Sequence, residues 1–152
     1  MTLSRRATLG LLATTSVAAF VGLPAYAMEP ETFQTNGIAI NGVDPVAYFT
    51  DAAPVPGSPD HALEHNGATW HFVSEANKAE FMSNPDKYGA RYGGYCAYAA
   101  SKGGLAPTVP EAWTIHEDRL YLNFSVGVMG IWRQDIPGNI AKADANWPGI
   151  LG

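Results

Sequence analysis

The chain has 152 residues, 47% of them hydrophobic, 15% charged and 11% aromatic. That is the make-up of one globular domain; it excludes a disordered chain, a collagen-like or coiled-coil protein and a multi-span membrane protein. Fourteen Asp and Glu against nine Lys and Arg give a net charge of −5, so no nucleic-acid partner is expected. The single cysteine, Cys96, excludes an intramolecular disulfide and a zinc site built on several thiolates.

Residues 1–27 read as an export signal. Ser4-Arg5-Arg6 supplies positive charge, and Leu9 to Leu23 form an apolar stretch diluted by glycine, threonine and serine. Ala25-Tyr26-Ala27 then offers a small-x-small cleavage site. The apolar stretch falls short of the ~20 residues of a spanning helix. Ser4-Arg5-Arg6-Ala7-Thr8-Leu9 is similar to a twin-arginine signal, with Sec export as the alternative. The expectation is cleavage after Ala27 and no stable membrane insertion afterwards. The mature domain, residues 28–152, would be periplasmic or secreted.

Along that domain the elements follow from local chemistry, and no internal repeat is apparent. Ile38-Ala39-Ile40 reads as a short strand, Asp44-Pro45 as the cap of a helix over Val46 to Phe49, and Ala52 to Asp60 as a proline-rich loop. His61 to Val73 flank Asn66-Gly67, which favours a two-residue hairpin turn. That register sets His65 across from Ala68, Leu63 from Trp70 and His61 from Phe72, with His71 on the opposite face. Ser74 caps a helix to about Met82, with Ala76, Ala79 and Phe81 facing inward. Tyr92-Gly93-Gly94-Tyr95 is a flexible approach to a helix over Tyr95 to about Ala100. Trp113 to His116 and Arg119 to Leu122 form a second hairpin around Glu117-Asp118. Ser125 begins a helix carrying Val128, Ile131 and Trp132, which Pro137 breaks, and a last helix runs from about Ile140 to Trp147. Small antiparallel hairpins packed with several short helices give an α+β fold in a single domain.

Five stretches together resemble the YHS-domain family, in its exported bacterial branch. They are Gly42-Val43-Asp44-Pro45-Val46-Ala47-Tyr48-Phe49, the Asn66-Gly67 hairpin, Asn84-Pro85-Asp86-Lys87-Tyr88, Tyr92-Gly93-Gly94-Tyr95-Cys96-Ala97-Tyr98-Ala99, and residues 140–148. The resemblance has two implications. YHS domains elsewhere accompany copper and heavy-metal handling proteins, where paired cysteines supply thiolates; here Val73 and Asn77 stand at those positions. Some members of the exported branch carry selenocysteine at the position of Cys96, which implies redox or nucleophilic chemistry there.

Cys96 also has a physical case. It follows two glycines within about the first turn of an expected helix, where unpaired N–H groups favour a thiolate. Tyr92, Gly93, Gly94, Tyr95 and Tyr98 would line the site, the tyrosines donating hydrogen bonds and the glycines admitting a ligand to the backbone. The plain alternative is a small buried hydrophobe among core aromatics. The histidines offer metal chemistry instead: His71 or His116 beside Cys96 would suit copper, whereas His61 and His65, ~13 Å apart along one strand, would not share an ion. Glu111, Glu117 and Asp118 read as solvated loop charges, Asp144 as a structural acid and Asp44 as a helix cap. Two classes of function therefore stand open. One is a thiol redox or nucleophilic role for Cys96, served by an external thiol reductant. The other is non-enzymatic binding of copper, another soft ion delivered by a metal donor, or a small ligand. A structural partner-binding module is third.

Overall fold

Asn66-Gly67 reverses the chain with φ of 48° and 75°, the backbone of a two-residue type I′ turn. Around it, in the computed structural model, which describes residues 27–152, β3 (Ser58–His65) pairs antiparallel with β4 (Ala68–Phe72). His65 faces Ala68 and Leu63 faces Trp70, as the turn dictates. The expected pairing of His61 with Phe72 does not form. A bulge between Ser58 and Ala62 brings Ser58 opposite Phe72 instead. Pro59 lies in that bulge and has no N–H to give a ladder, so an edge strand with a bulge is where it can sit. The strand also starts at Ser58, inside the stretch expected to be loop. β1 (Gln34–Thr35) and β2 (Ile38–Ala39) complete a sheet of order β1-β2-β4-β3, with β2 parallel to β4. The expected strand at Ile38–Ile40 stops at Ala39, because Ile40 turns to φ 40°.

A second hairpin pairs β5 (Trp113–His116) with β6 (Arg119–Leu122), and Glu117 and Asp118 take the two positive-φ turn positions. Its register puts Trp113 opposite Leu122 and Ile115 opposite Leu120. The short α1 (Ala47–Thr50) precedes the first hairpin, and α4 (Ala97–Ser101) precedes the second. Helix α2 (Glu75–Ser83) is capped by Ser74, whose Oγ accepts from Asn77 N at 3.1 Å. Ala76 and Ala79, expected inside, are exposed, and the helix turns Asn77, Lys78 and Phe81 toward the protein. The buried Asp44 carboxylate draws in Asn77 and so sets that rotation. Asn84 caps α3 (Pro85–Tyr88). Ser125 caps α5 (Val126–Trp132), which buries Trp132 and leaves Ile131 exposed. Pro137 does not break a helix. It sits in the first turn of α6 (Ile136–Asn146), behind the Asp135 cap, where a missing N–H costs nothing.

Contrary to the reading of the sequence, the structure runs twice through one series of elements: capped short helix, type I′ hairpin, serine-capped helix, Asx-capped helix. One spacing separates His65 from His116, Ser74 from Ser125, Phe81 from Trp132 and Asn84 from Asp135. The caps match in backbone too: Ser74 and Ser125 have φ, ψ of −156°, 162° and −157°, 166°, and Asn84 and Asp135 have −151°, 72° and −148°, 72°.

The α+β fold has two apolar clusters. Ile40, Val46, Tyr48, Trp70, Phe72, Phe81, Leu120 and Leu122 make the first. Tyr92, Ala97, Ala100, Tyr121, Trp132 and Ala143 make the second. Each large buried side chain contributes about 1.5–3 kcal/mol of transfer free energy, which leaves no need for a disulfide. Among the described residues no helix is long and apolar enough to cross a membrane. The expected export signal lies, except for Ala27, outside the described residues.

Candidate functional site

The Tyr92-Gly93-Gly94-Tyr95 stretch is not a flexible approach. Arg91–Gly94 form a tight helical turn, and Tyr92, Gly93 and Gly94 all have positive φ. A side chain at Gly93 would lie 1.8 Å from the Glu31 carbonyl oxygen, and one at Gly94 would lie 2.5 Å from Ile40. The glycines therefore admit the protein's own N-terminal strap, not a ligand; Phe33 N donates to Gly93 O at 2.8 Å. The tyrosines point to the same seam. Tyr95 donates its hydroxyl to Pro30 O (2.8 Å) and Tyr92 to Asp144 Oδ1 (2.9 Å), while Tyr98 lies under Lys102. None of them donates to Cys96.

Cys96 caps α4 and is 1% exposed. The Ala99 and Phe124 N–H groups donate to its sulfur at 3.5 and 3.3 Å, and the thiol donates to Asn123 Oδ1 at 3.5 Å. Helix α4 has five residues, so it carries little of the dipole expected to favour a thiolate. The Asn123 oxygen thus accepts both the Cys96 S–H and the Tyr98 N–H. Asn123 Nδ2 is buried with no partner. His71 stands apart, in a groove with Ile38, Asn41, Gly42, Pro56 and Gly57. His116 lies at the tip of the second hairpin, 4.0 Å from Glu117. The three residues considered for copper thus have separate surroundings. Among the described residues, no three His, Cys, Asp or Glu side chains gather as a metal set. At the positions of the family's paired cysteines, Val73 N and Asn77 Nδ2 both donate to Asp44 Oδ2 at 2.8 Å. These donors do not fit copper.

A different place has the makings of a site. A cleft of about 180 Å³ opens between the first hairpin and the Arg91–Gly94 turn. The aromatic residues along it are Trp70, Phe81 and Tyr92, all three buried, and the half-buried Trp147; its ionisable residues are Glu31, His65, Asp86 and Arg91. The aromatic wall is fixed by packing. Trp70 lies 5.0 Å from Phe81, His65 stands edge-on to Phe81 at 5.3 Å, and Trp147 meets Tyr92 at 6.1 Å. Trp70 Nε1 donates to His65 O at 3.0 Å, which holds the indole in place. Arg91 reaches Asp144 Oδ1 at 3.2 Å while its Nε is buried with no partner. Burial first, and then the hydrogen bond to Asp144, push the Tyr92 phenol well above its ordinary range. It stays a neutral donor at any physiological pH.

Most of this lining comes from one segment, and that segment is the one with known relatives. Residues 46–92 match the family described as the YHS domain. The chain carries a YHS domain. The searches of curated proteins and of solved structures gave no match. The YHS segment supplies His65, Trp70, Phe81, Asp86, Arg91 and Tyr92 to the cleft, while Glu31 and Trp147 close it from outside the segment. Sequence reasoning reached Tyr92 and Gly93 and missed the rest, because the cleft unites residues from both ends of the domain. The one available signal was the clash built into Gly93 and Gly94, which requires another segment to pass close by.

Proposed function

We propose that this YHS-domain protein is exported and works as a non-enzymatic binder of a small organic ligand in the aromatic cleft. The observation that carries the reading is the cleft itself: four aromatic side chains and several ionisable groups converge at one concave place, mostly within the YHS segment. Its volume lies below the ~300–1,000 Å³ of drug-sized sites, so the ligand is small. The test is a thermal-shift screen of the purified protein against small organic ions, with Cu(I) in a separate arm. The reading expects organic hits that vanish in Trp147→Ala. Stabilisation by stoichiometric Cu(I) alone, lost in Cys96→Ser, would replace it with the copper reading.

A thiol role for Cys96 is the second reading, favoured by the two backbone N–H groups that converge on its sulfur. It needs the thiol to become reachable. Under it, alkylation of the folded protein outpaces global unfolding, and mass spectrometry of periplasmic material finds a sulfenate or mixed disulfide on Cys96.

A further inference from the structure

The repeat sets helices α2 and α5 at matching places, yet they differ on the face turned to solvent. On α2 that face carries Glu75, Ala76, Ala79 and Glu80, all exposed. At the spacing that relates the two halves, α5 exposes Val126, Gly127, Gly130 and Ile131. The fold therefore accepts carboxylates at this face, and α5 presents hydrocarbon instead. Phe124, Val126 and Ile131 are 51%, 55% and 48% exposed, and Val109 is 37% exposed. Val109 N donates to Asn123 O, which sets it beside Phe124. Four of the seven large hydrophobic residues exposed among the described residues are thus gathered here. They present on the order of 300 Å² of apolar surface, the size at which a patch on a monomer is often functional.

We infer that this face docks a second copy of the chain, α5 against α5 about a two-fold axis. It shares no residue with the cleft, so the inference stands apart from the binding reading. Charge favours a second copy over a charged partner. The chain carries −5, and α5 has no charged side chain. Two copies meet here without setting like charges against each other, whereas a charged partner finds no group to pair with. Shape favours it too, because a two-fold contact needs projection and hollow in one patch. Val126 and Ile131 flank Gly127 and Gly130, and a Cβ at Gly130 would meet nothing within 4 Å. The branched side chains of one copy can therefore enter the open glycine trough of the other. The pair would bury roughly twice the patch, less than the ~1,200 Å² at which stable interfaces begin. The dimer is accordingly weak and reversible.

The test is sedimentation equilibrium of the purified protein from ~10 µM to ~1 mM, a range that brackets a weak dimer. The inference expects reversible dimerisation that tightens with added salt, which screens the repulsion between two acidic copies. Val126→Glu with Ile131→Glu gives α5 the acids that α2 carries at the same places, and should weaken the dimer tenfold or more. Gly130→Ala gives it the residue of α2 at that position. It should raise the melting temperature, since alanine is the better helix former, and still weaken the dimer severalfold by filling the trough. Melting curves show whether each variant folds, and Gly130→Ala decides the matter if the double variant does not. A wild-type monomer across the whole range would overturn the inference. So would a dimer that loosens with salt, or one that neither variant weakens. Flotation with phosphatidylcholine vesicles, lost in the double variant while the free protein stays monomeric, would overturn it in favour of a lipid surface.

Discussion

The two halves of the molecule repeat one series of elements but close it with different atoms. In the first half Asp44 caps α1 through Val46 N (2.8 Å) and Ala47 N (3.3 Å), then holds Val73 N, the residue before the Ser74 cap. In the second half Cys96 caps α4 through Ala99 N, then holds Phe124 N, the residue before the Ser125 cap. Val73 and Phe124 are related by the same spacing as the two serines. Cys96, one position beyond the spacing that relates the other pairs, makes contacts corresponding to those of Asp44, with sulfur where the first half has a carboxylate. The difference lies in proton and charge. Asp44 is a fully buried acceptor of four donors, counting Asn77 Nδ2. Cys96 accepts two and donates one, to Asn123. One position is bound by charge-assisted hydrogen bonds and the other by weak sulfur contacts, so equal roles in the fold should carry unequal energies.

The largest expected effect comes from breaking the stronger latch. Asp44→Ala strands three backbone N–H groups and the Asn77 amide in the interior. It should cost about 3 kcal/mol or more, read from urea unfolding. A loss below about 1 kcal/mol would mean that the carboxylate is not what ties α1 to α2. Cys96→Ser offers the weaker test of the same geometry. A hydroxyl keeps a donor for Asn123 and acceptor capacity for Phe124 N, but its shorter bond leaves the 3.3–3.5 Å contacts stretched. The expected loss is about 1 kcal/mol, with alkylation of wild-type Cys96 slow and tracking unfolding. Fast alkylation of the folded protein would set the two halves apart in function as well as in energy.

The repeat was hidden from the sequence for a physical reason. What the halves share is backbone conformation at caps and turns, and several residue types satisfy each requirement. Asn66-Gly67 and Glu117-Asp118 make the same kind of turn, and Asn84 and Asp135 make the same cap. Only His65 with His116 and Ser74 with Ser125 stay identical among the positions compared. Both hairpins were legible because turn chemistry and alternation are local. The inward turn of Asn77 was not, since the distant Asp44 decides it; the place of Pro137 at a helix start follows instead from the local Asp135 cap, which the sequence pattern held. The cleft was half legible. Its Tyr92-Gly93 edge lay in a conspicuous motif, but Glu31 and Trp147 reach it only through the fold.

The serine caps give a more even comparison. Ser74 Oγ and Ser125 Oγ each accept one N–H at 3.1 Å, from Asn77 and Val128. Replacing either by alanine should cost about 1 kcal/mol, and the two losses should agree within a few tenths. A clearly larger loss at Ser74 would show that its cap is coupled to the Asp44 latch through Asn77. A Ser74→Ala, Asp44→Asn double-mutant cycle would then measure that coupling.

The smallest effect belongs to a pair that only the first half has. His61 Nδ1 donates to Glu75 Oε1 at 2.9 Å, and the second half has Val126 where Glu75 would fall. That hydrogen bond, ahead of the nearby Lys78 charge, holds the Glu75 carboxyl below its ordinary value. A carboxyl whose pKa is lower in the folded protein binds its proton more tightly when unfolded. Its contribution is therefore present above the unfolded pKa of ~4.3 and is lost as pH falls through the folded value. Because Glu75 is exposed, solvent and salt screen the pair and the contribution is slight. Melting temperatures of wild type and Glu75→Gln should differ by a small, salt-sensitive margin at pH 6 and converge as the pH drops below 4. A difference that widened toward acid would mean that Glu75 is held above its ordinary value, and the sign of this interaction would be reversed.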